Sequence, residues 1–188
     1  MLTAISKQLS NWLVSKSVIT ENEEKLYAYA VFNFLYSLTP FLIICTGGVL
    51  LNVFPQSIIF CLVFLITRKF AGGFHFKTPR LCFVVSIIVE LEFLFLAKSY
   101  TCSFIVFVCL IVSSFELCFF SPIISNNRPL STDCIKFCNH MIKRLSFIYL
   151  SIVITLCFFG QSGLASFIAF SVIMTSVSQI PSLFFHRK

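Results

Sequence analysis

From Leu26 to Thr67 the chain contains no Asp, Glu, Lys or Arg. At ~1.5 Å per residue, a bilayer core of ~30 Å takes roughly 20 helical residues. An uncharged stretch of about twice that length must therefore turn once. Gly47 and Gly48, followed by Asn52 and Pro55, supply the turn and predict spans near 28–50 and 55–68. The second is short and is expected to run past Arg68 or to cross a thinned region. Later apolar runs cover 81–97, 103–121, 145–160 and 163–185, interrupted by Lys98–Cys102, by a polar loop from Ser125 to Arg144, and by Gly160–Gly163. Six spans result.

Composition excludes a soluble domain. Hydrophobic residues make up 58% of the 188 and charged residues 11%, against roughly 25% charged in soluble domains. The 25 phenylalanines suit lipid-facing and inter-helix positions because they bring no polar atom that needs a partner. A formal charge of +7 raises the possibility of nucleic-acid binding, but the basic residues form neither a stripe nor a tail, which excludes it. They sit between apolar runs, as membrane loops do. With six spans, every Lys and Arg except Lys98 falls on one side, which predicts cytosolic termini and cytosolic basic loops.

The first twenty residues lack the apolar core and small-residue cleavage site of a signal peptide, so later apolar segments are expected to direct insertion. Leu2, Ile5, Leu9, Trp12 and Leu13 at helical spacing make residues 1–19 an amphipathic helix, lying in the membrane surface or packed on the cytosolic face. Thr20 with Glu23 forms a capping-box pattern, so a new helix is expected from about Glu21. No repeat or low-complexity linker divides residues 1–188, which read as one domain. Nine cysteines, with Cys45, Cys61, Cys109, Cys118 and Cys157 inside apolar runs, do not read as a secreted disulfide scaffold. The expected fold is an all-α integral membrane protein with about six transmembrane helices and an amphipathic N-terminal helix.

Polar residues concentrate in two stretches. Residues 68–82 pair His75 with Cys82. A thiol becomes a strong nucleophile once deprotonated, and an imidazole can take that proton and return it to a leaving amine. On one continuous helix the two side chains would share a face ~10 Å apart along the axis, too far for a hydrogen bond. The helix must break. Gly72 and Gly73 allow the break, and Pro79 excludes the helical state for Thr78, so the segment can fold back and bring His75 toward Cys82. Thr78 as N-cap and Pro79 as first residue would start the third span. Cys82 would then lie near the positive end of a helix dipole and near Arg80, Lys77 and Arg68, all of which favour a negative sulfur. A tight inter-helix turn accounts for the same glycines and proline without any chemistry.

The arrangement Arg68-x4-Gly73-x-His75-x6-Cys82 between the second and third spans resembles the accessory gene regulator protein B family, bacterial membrane endopeptidases of quorum sensing. Ser121-Pro122 and Asn127-Arg128-Pro129-Leu130 are similar to that family's Pro-containing cytosolic loop. The resemblance covers nearly the whole chain. It implies a cysteine endopeptidase in which Cys82 attacks a backbone carbonyl of a short AgrD-like propeptide, with His75 as base and then acid, releasing an acidic C-terminal piece. The acyl-enzyme thioester would pass to an internal Cys or Ser and close a thiolactone or lactone. Arg68 and Gly73 carry over by motif position: Arg68 to bind the acidic tail or hold the loop through a carboxylate, Gly73 to give the backbone its shape beside His75. A homodimer is a further implication. Neither a cofactor nor a metal is expected.

Other polar residues admit plainer readings. Glu90, Glu92 and Glu116 lie in apparent spans, where carboxylates are costly, and each is a candidate for function or for helix packing. Glu90 and Glu92 cannot share a helix face. Cys134-x3-Cys138-x-His140, beside Asp133, matches no common zinc spacing. Lys77, Arg80, Arg128, Lys136, Lys143 and Arg144 form a basic set suited to anionic membrane lipid or to an acidic peptide tail. The rival class is a transporter or exporter of a peptide or small solute that depends on the intramembrane glutamates rather than on the thiol.

Overall fold

The computed structural model describes residues 2–73, 78–123 and 131–185. Among them every regular element is helical: α1 (Leu2–Ser15), a short 3-10 turn (Glu21–Glu23), α2 (Glu24–Leu50), α3 (Phe54–Ala71), α4 (Pro79–Ser99), α5 (Phe104–Phe120), α6 (Thr132–Phe158), α7 (Ser162–Val177) and α8 (Ile180–Phe185). The chain divides into two compact units, Met1–Ile43 and Ile44–Lys188.

In the first unit, α1 leaves Ile5, Leu9 and Trp12 exposed as one stripe at i, i+4 and i+7, the geometry of a helix that offers an apolar face to the lipid boundary. Ser6 and Ser10 are buried, and each donates to a carbonyl one turn back in its own helix, Thr3 and Lys7, at 3.0 Å. Thr20 and Glu23 pair as the capping-box pattern predicts: the Thr20 backbone N–H and hydroxyl donate to Glu23 Oε2 at 3.0 and 2.8 Å, and the Glu23 N–H donates to the Thr20 backbone O at 3.0 Å. The first turn is 3-10, so the α-helix proper begins at Glu24.

The second unit is organised around α7, which touches α3, α4, α5 and α6. Ala165, Ser166, Ala169, Ser171, Val172 and Ser176 are all buried along it. Small side chains let neighbouring backbones approach closely, which is how helices associate where lipid removes the hydrophobic incentive. Their hydroxyls are used across the contact: Ser171 Oγ donates to Phe60 O at 2.9 Å, and Ser166 Oγ to Ala97 O at 2.8 Å. The outer helices turn apolar side chains away from the bundle, among them Phe104 and Phe119 of α5 and Phe147 and Phe158 of α6, all more than 70% exposed. Surface of that kind needs a lipid solvent.

Helices α2 to α7 coincide with the six apolar runs of the sequence. Phe54–Ala71, Thr132–Phe158 and Ser162–Ser182 are each long and apolar enough to cross a membrane, while Leu38–Leu50 and Phe104–Phe120 are shorter apolar stretches. Two boundaries differ from the sequence reading. The stretch read as a polar loop to Arg144 is helical from Thr132 onward, because Ser131 caps it, its Oγ accepting from the Cys134 N–H at 3.3 Å. Below its basic residues runs a helical stripe of buried positions, Cys138, Ile142, Ser146, Tyr149 and Val153. The last span is also interrupted, with a turn at Ser178–Gln179 between α7 and α8. Pro181 lacks the N–H that would continue the helix through this point.

Candidate active site

The site is built where α3 ends. The helix runs past Arg68 to Ala71 and stops at Gly72, whose N–H donates to Arg68 O at 3.0 Å and whose φ of 71° is reached at little cost only by glycine. A Cβ at Gly72 would also stand 2.9 Å from Ile123 O. The segment after α5 lies that close because the Ile123 N–H donates to Ala71 O at 3.0 Å; the Ser121–Pro122 peptide just before it is cis.

Arg68 turns its guanidinium back over this exit. Nη1 donates to Gly72 O at 3.0 Å and to Ser178 Oγ at 2.7 Å. The same group covers Gly73 so closely that any Cβ there would fall inside the guanidinium. Arg68 also interacts electrostatically with Glu90, a carboxylate only 8% exposed on α4. Arg68 and Gly73, paired by motif position in the sequence, are thus physical partners, and the guanidinium holds the loop through the Gly72 carbonyl.

A second set of bonds lies beside the first. Gln179 is fully buried, and its Nε2 donates to Ala71 O at 2.7 Å and to Ser121 Oγ at 3.0 Å, while Ser121 Oγ lies 3.2 Å from Gln179 Oε1. A helix leaves its last carbonyls without intrahelical partners, and those of the buried Ala71 and Gly72 must find them within the protein. Here Gln179 and the Ile123 N–H satisfy Ala71 O, and Arg68 satisfies Gly72 O. Sequence reasoning missed Ser121, Ser178 and Gln179 as parts of this arrangement. The available signal was a glutamine inside an apolar run, two residues before Pro181.

Helix α4 starts as expected, with extended Thr78 as N-cap, Pro79 in the first turn, and the Cys82 N–H donating to Thr78 O at 3.1 Å. Cys82 is half-buried, and Ser86 and Glu90 follow it at one-turn intervals along α4. Glu90 is buried and Glu92 exposed, as opposite helix faces require. His75, Lys77 and Arg128 lie outside the described residues, as does the side chain of Arg80. Lys136, Lys143 and Arg144 are exposed on α6 rather than on a loop. All nine cysteines are among the described residues and none is in a disulfide.

A helical bundle with apolar outer surfaces, a helix broken at a glycine pair, and a half-buried cysteine at the start of the next helix define a polytopic membrane protein with its polar site at one end of the bundle. The chain belongs to the accessory gene regulator B family, whose model matches residues 6–180. This family is that of the accessory gene regulator systems of quorum sensing. The chain is 27% identical to an AgrB-like protein of Clostridium perfringens over 142 residues, covering 71% of this chain and 66% of that protein, just under two thirds of its length. It is 24% identical to the protein FsrB of Enterococcus faecalis over 186 residues, covering 92% and 73% of the two chains. To accessory gene regulator protein B of Staphylococcus intermedius it is 26% identical over 135 residues, covering 71% and 70%. No solved structure matches.

Proposed function

We propose that the chain is a membrane-embedded cysteine endopeptidase that processes an AgrD-like signalling propeptide. The observation that most supports this reading is the start of α4 at Pro79, which puts Cys82 in the opening turns of a helix rather than in mid-span. There the helix dipole favours a negative sulfur.

In this mechanism His75 takes the Cys82 proton, and the sulfur adds to a propeptide carbonyl. The C–N bond breaks, His75 returns the proton to the departing amine, and the C-terminal piece leaves. The N-terminal piece stays as a thioester on Cys82. An internal thiol or hydroxyl of the peptide then attacks the thioester, releasing Cys82 and closing a thiolactone or lactone ring. Arg68 and Gly73 hold the segment that leads to His75. The cytosolic side of the membrane carries this end of the bundle, in keeping with the distribution of Lys and Arg. The exposed Lys136, Lys143 and Arg144 suit the acidic tail of the peptide or anionic lipid.

The test is to trap the thioester. Wild-type protein co-expressed with an AgrD-like propeptide is quenched in acid, and the Cys82 peptide is weighed. An adduct of the propeptide's N-terminal part, released by hydroxylamine, is expected; its absence from Cys82 while cleaved peptide accumulates contradicts the mechanism. The transporter reading draws on Glu90 and on Glu116, both of whose carboxyl oxygens are buried. Under that reading Glu90→Gln and Glu116→Gln stop peptide movement while Cys82→Ala leaves it intact.

A further inference from the structure

We infer that Ser178 and Gln179, at the turn between α7 and α8, are positioning residues for the proposed peptidase, fixing the point from which the His75-bearing segment departs. The inference rests on the peptidase reading above and deepens it.

These two adjacent residues reach the α3 exit from more than 100 positions away in sequence. Ser178 Oγ anchors the guanidinium that holds Gly72 O and covers Gly73, and Gln179 holds Ala71 O. Three consecutive residues, Ala71, Gly72 and Gly73, are therefore fixed by side chains from a distant turn and by Arg68. Satisfying the end of a buried helix would need only the carbonyl bonds. The additional feature is where they act. The chain leaves Gly73 and must return at Thr78, the N-cap of the helix that carries Cys82. Five residue steps of at most ~3.6 Å separate those anchors, so fixing Gly73 against α7 limits where His75 can lie relative to Cys82. The break at Ser178–Gln179 serves the same end: were α7 to continue unbroken into α8, the turn that presents both side chains would be lost. Ser121 completes the arrangement by bonding the Gln179 amide.

A group displaced by ~1 Å from a reacting pair can lower turnover by about 100-fold. The removal of the Gln179 donor should do this without removing the protein from the membrane. Two variants separate the donor from the volume: Gln179→Glu keeps the length and loses the N–H, and Gln179→Leu loses both polar atoms. Ser178→Ala removes the anchor for Arg68, and Ser178→Thr keeps it. Ser171→Ala is the control, because it deletes an equally buried hydrogen bond, to Phe60 O, in mid-bundle.

Each variant, with wild type and His75→Ala as references, is co-expressed with the same AgrD-like propeptide, and processing is normalised to protein in the membrane. Iodoacetamide labelling of Cys82 is followed by peptide mass spectrometry across the pH range in which histidine titrates. The expected result is a loss of about 100-fold in processing per molecule for both Gln179 variants, a smaller loss for Ser178→Ala, and rescue by Ser178→Thr. The labelling profile of the Gln179 variants should match that of His75→Ala, and Ser171→Ala should match wild type. Should the Gln179 variants fail to accumulate, the contrast between Ser178→Ala and Ser178→Thr decides. Wild-type labelling profiles with wild-type processing per molecule, whatever the amount of protein, would show a purely structural role and overturn the inference. If His75→Ala itself processes and labels like wild type, the peptidase reading falls instead.

Discussion

The two ends of the Ile44–Lys188 unit solve the same problem differently. Where α3 exits, side chains of Arg68, Ser121 and Gln179 bond across α3, the segment after α5, and the α7–α8 turn, and one glycine is sealed beneath a guanidinium. At the opposite end, contact is made by small residues and backbone: Ser166 Oγ donates to Ala97 O, and the Cys102 N–H to Ser162 O at 3.4 Å. That end also keeps a cavity of about 380 Å³, lined among others by Gln56, Lys98, Tyr100 and Gln161. A turn that only connects two helices tolerates looseness and open space. A segment that must leave a helix in a fixed direction needs each freed carbonyl tied to a different element, and the cross-element bonds gather there.

Glycine substitutions should break this comparison most sharply. Gly73→Ala places a methyl within the Arg68 guanidinium, which must withdraw from Gly72 O and Ser178 Oγ, losing hydrogen bonds to a charged group worth ~1.5–3 kcal/mol each. We expect processing per molecule to fall by about 100-fold or more. Gly163→Ala, where a Cβ meets nothing within 4 Å, is expected to process like wild type in the same assay.

Arg68→Lys sharpens the comparison further. A lysine keeps the charge near Glu90 but cannot bond two acceptors with one planar group while covering Gly73. It should recover less than about a tenth of wild-type processing. At the opposite end, Ser166→Ala should lower the thermal stability of the protein in detergent by only ~1 kcal/mol, the net value of one neutral hydrogen bond. Processing per molecule should not change, and a loss there would mean that the two ends are coupled.

The smallest effect lies in the Met1–Ile43 unit. Hydrogen bonds from the Thr20 backbone N–H, then from its hydroxyl, hold the Glu23 carboxyl below its ordinary value of 4.5. A carboxyl depressed in the folded state adds stability that is present above its unfolded value and is lost as pH falls through the folded one. Protection of the amides at the start of α2, measured against their intrinsic exchange rate at each pH, should therefore fall only as pH drops below about 4.5, and Glu23→Gln should remove that dependence. The group is fully exposed, so the change should be slight and should weaken further in salt.

Much of the fold was legible because the bilayer imposes a length and a polarity that any sequence must display. The break after α3 and the start of α4 were carried by Gly72, Gly73, Thr78 and Pro79, residues whose backbone preferences act locally. The start of α6 was misread because Lys136, Lys143 and Arg144 draw attention to polarity, whereas the buried stripe from Cys138 to Val153 runs beneath them. The partnership of Arg68 with Gly73 was visible only as a shared motif, since the contact depends on how a long side chain folds back. Ser178 left no mark in the sequence and Gln179 only that of a glutamine inside an apolar run, because their partners are brought near by tertiary packing alone.

The most direct test of the account is processing of an AgrD-like propeptide by Cys82→Ala, with Cys61→Ala as the control. Cys61 is buried in α3 and has no part in the proposed chemistry. The account predicts that Cys82→Ala stops release of the C-terminal peptide while Cys61→Ala, at equal amounts in the membrane, continues to release it. Release that survives Cys82→Ala would contradict the account and turn attention to Glu90 and Glu116 as the groups that matter.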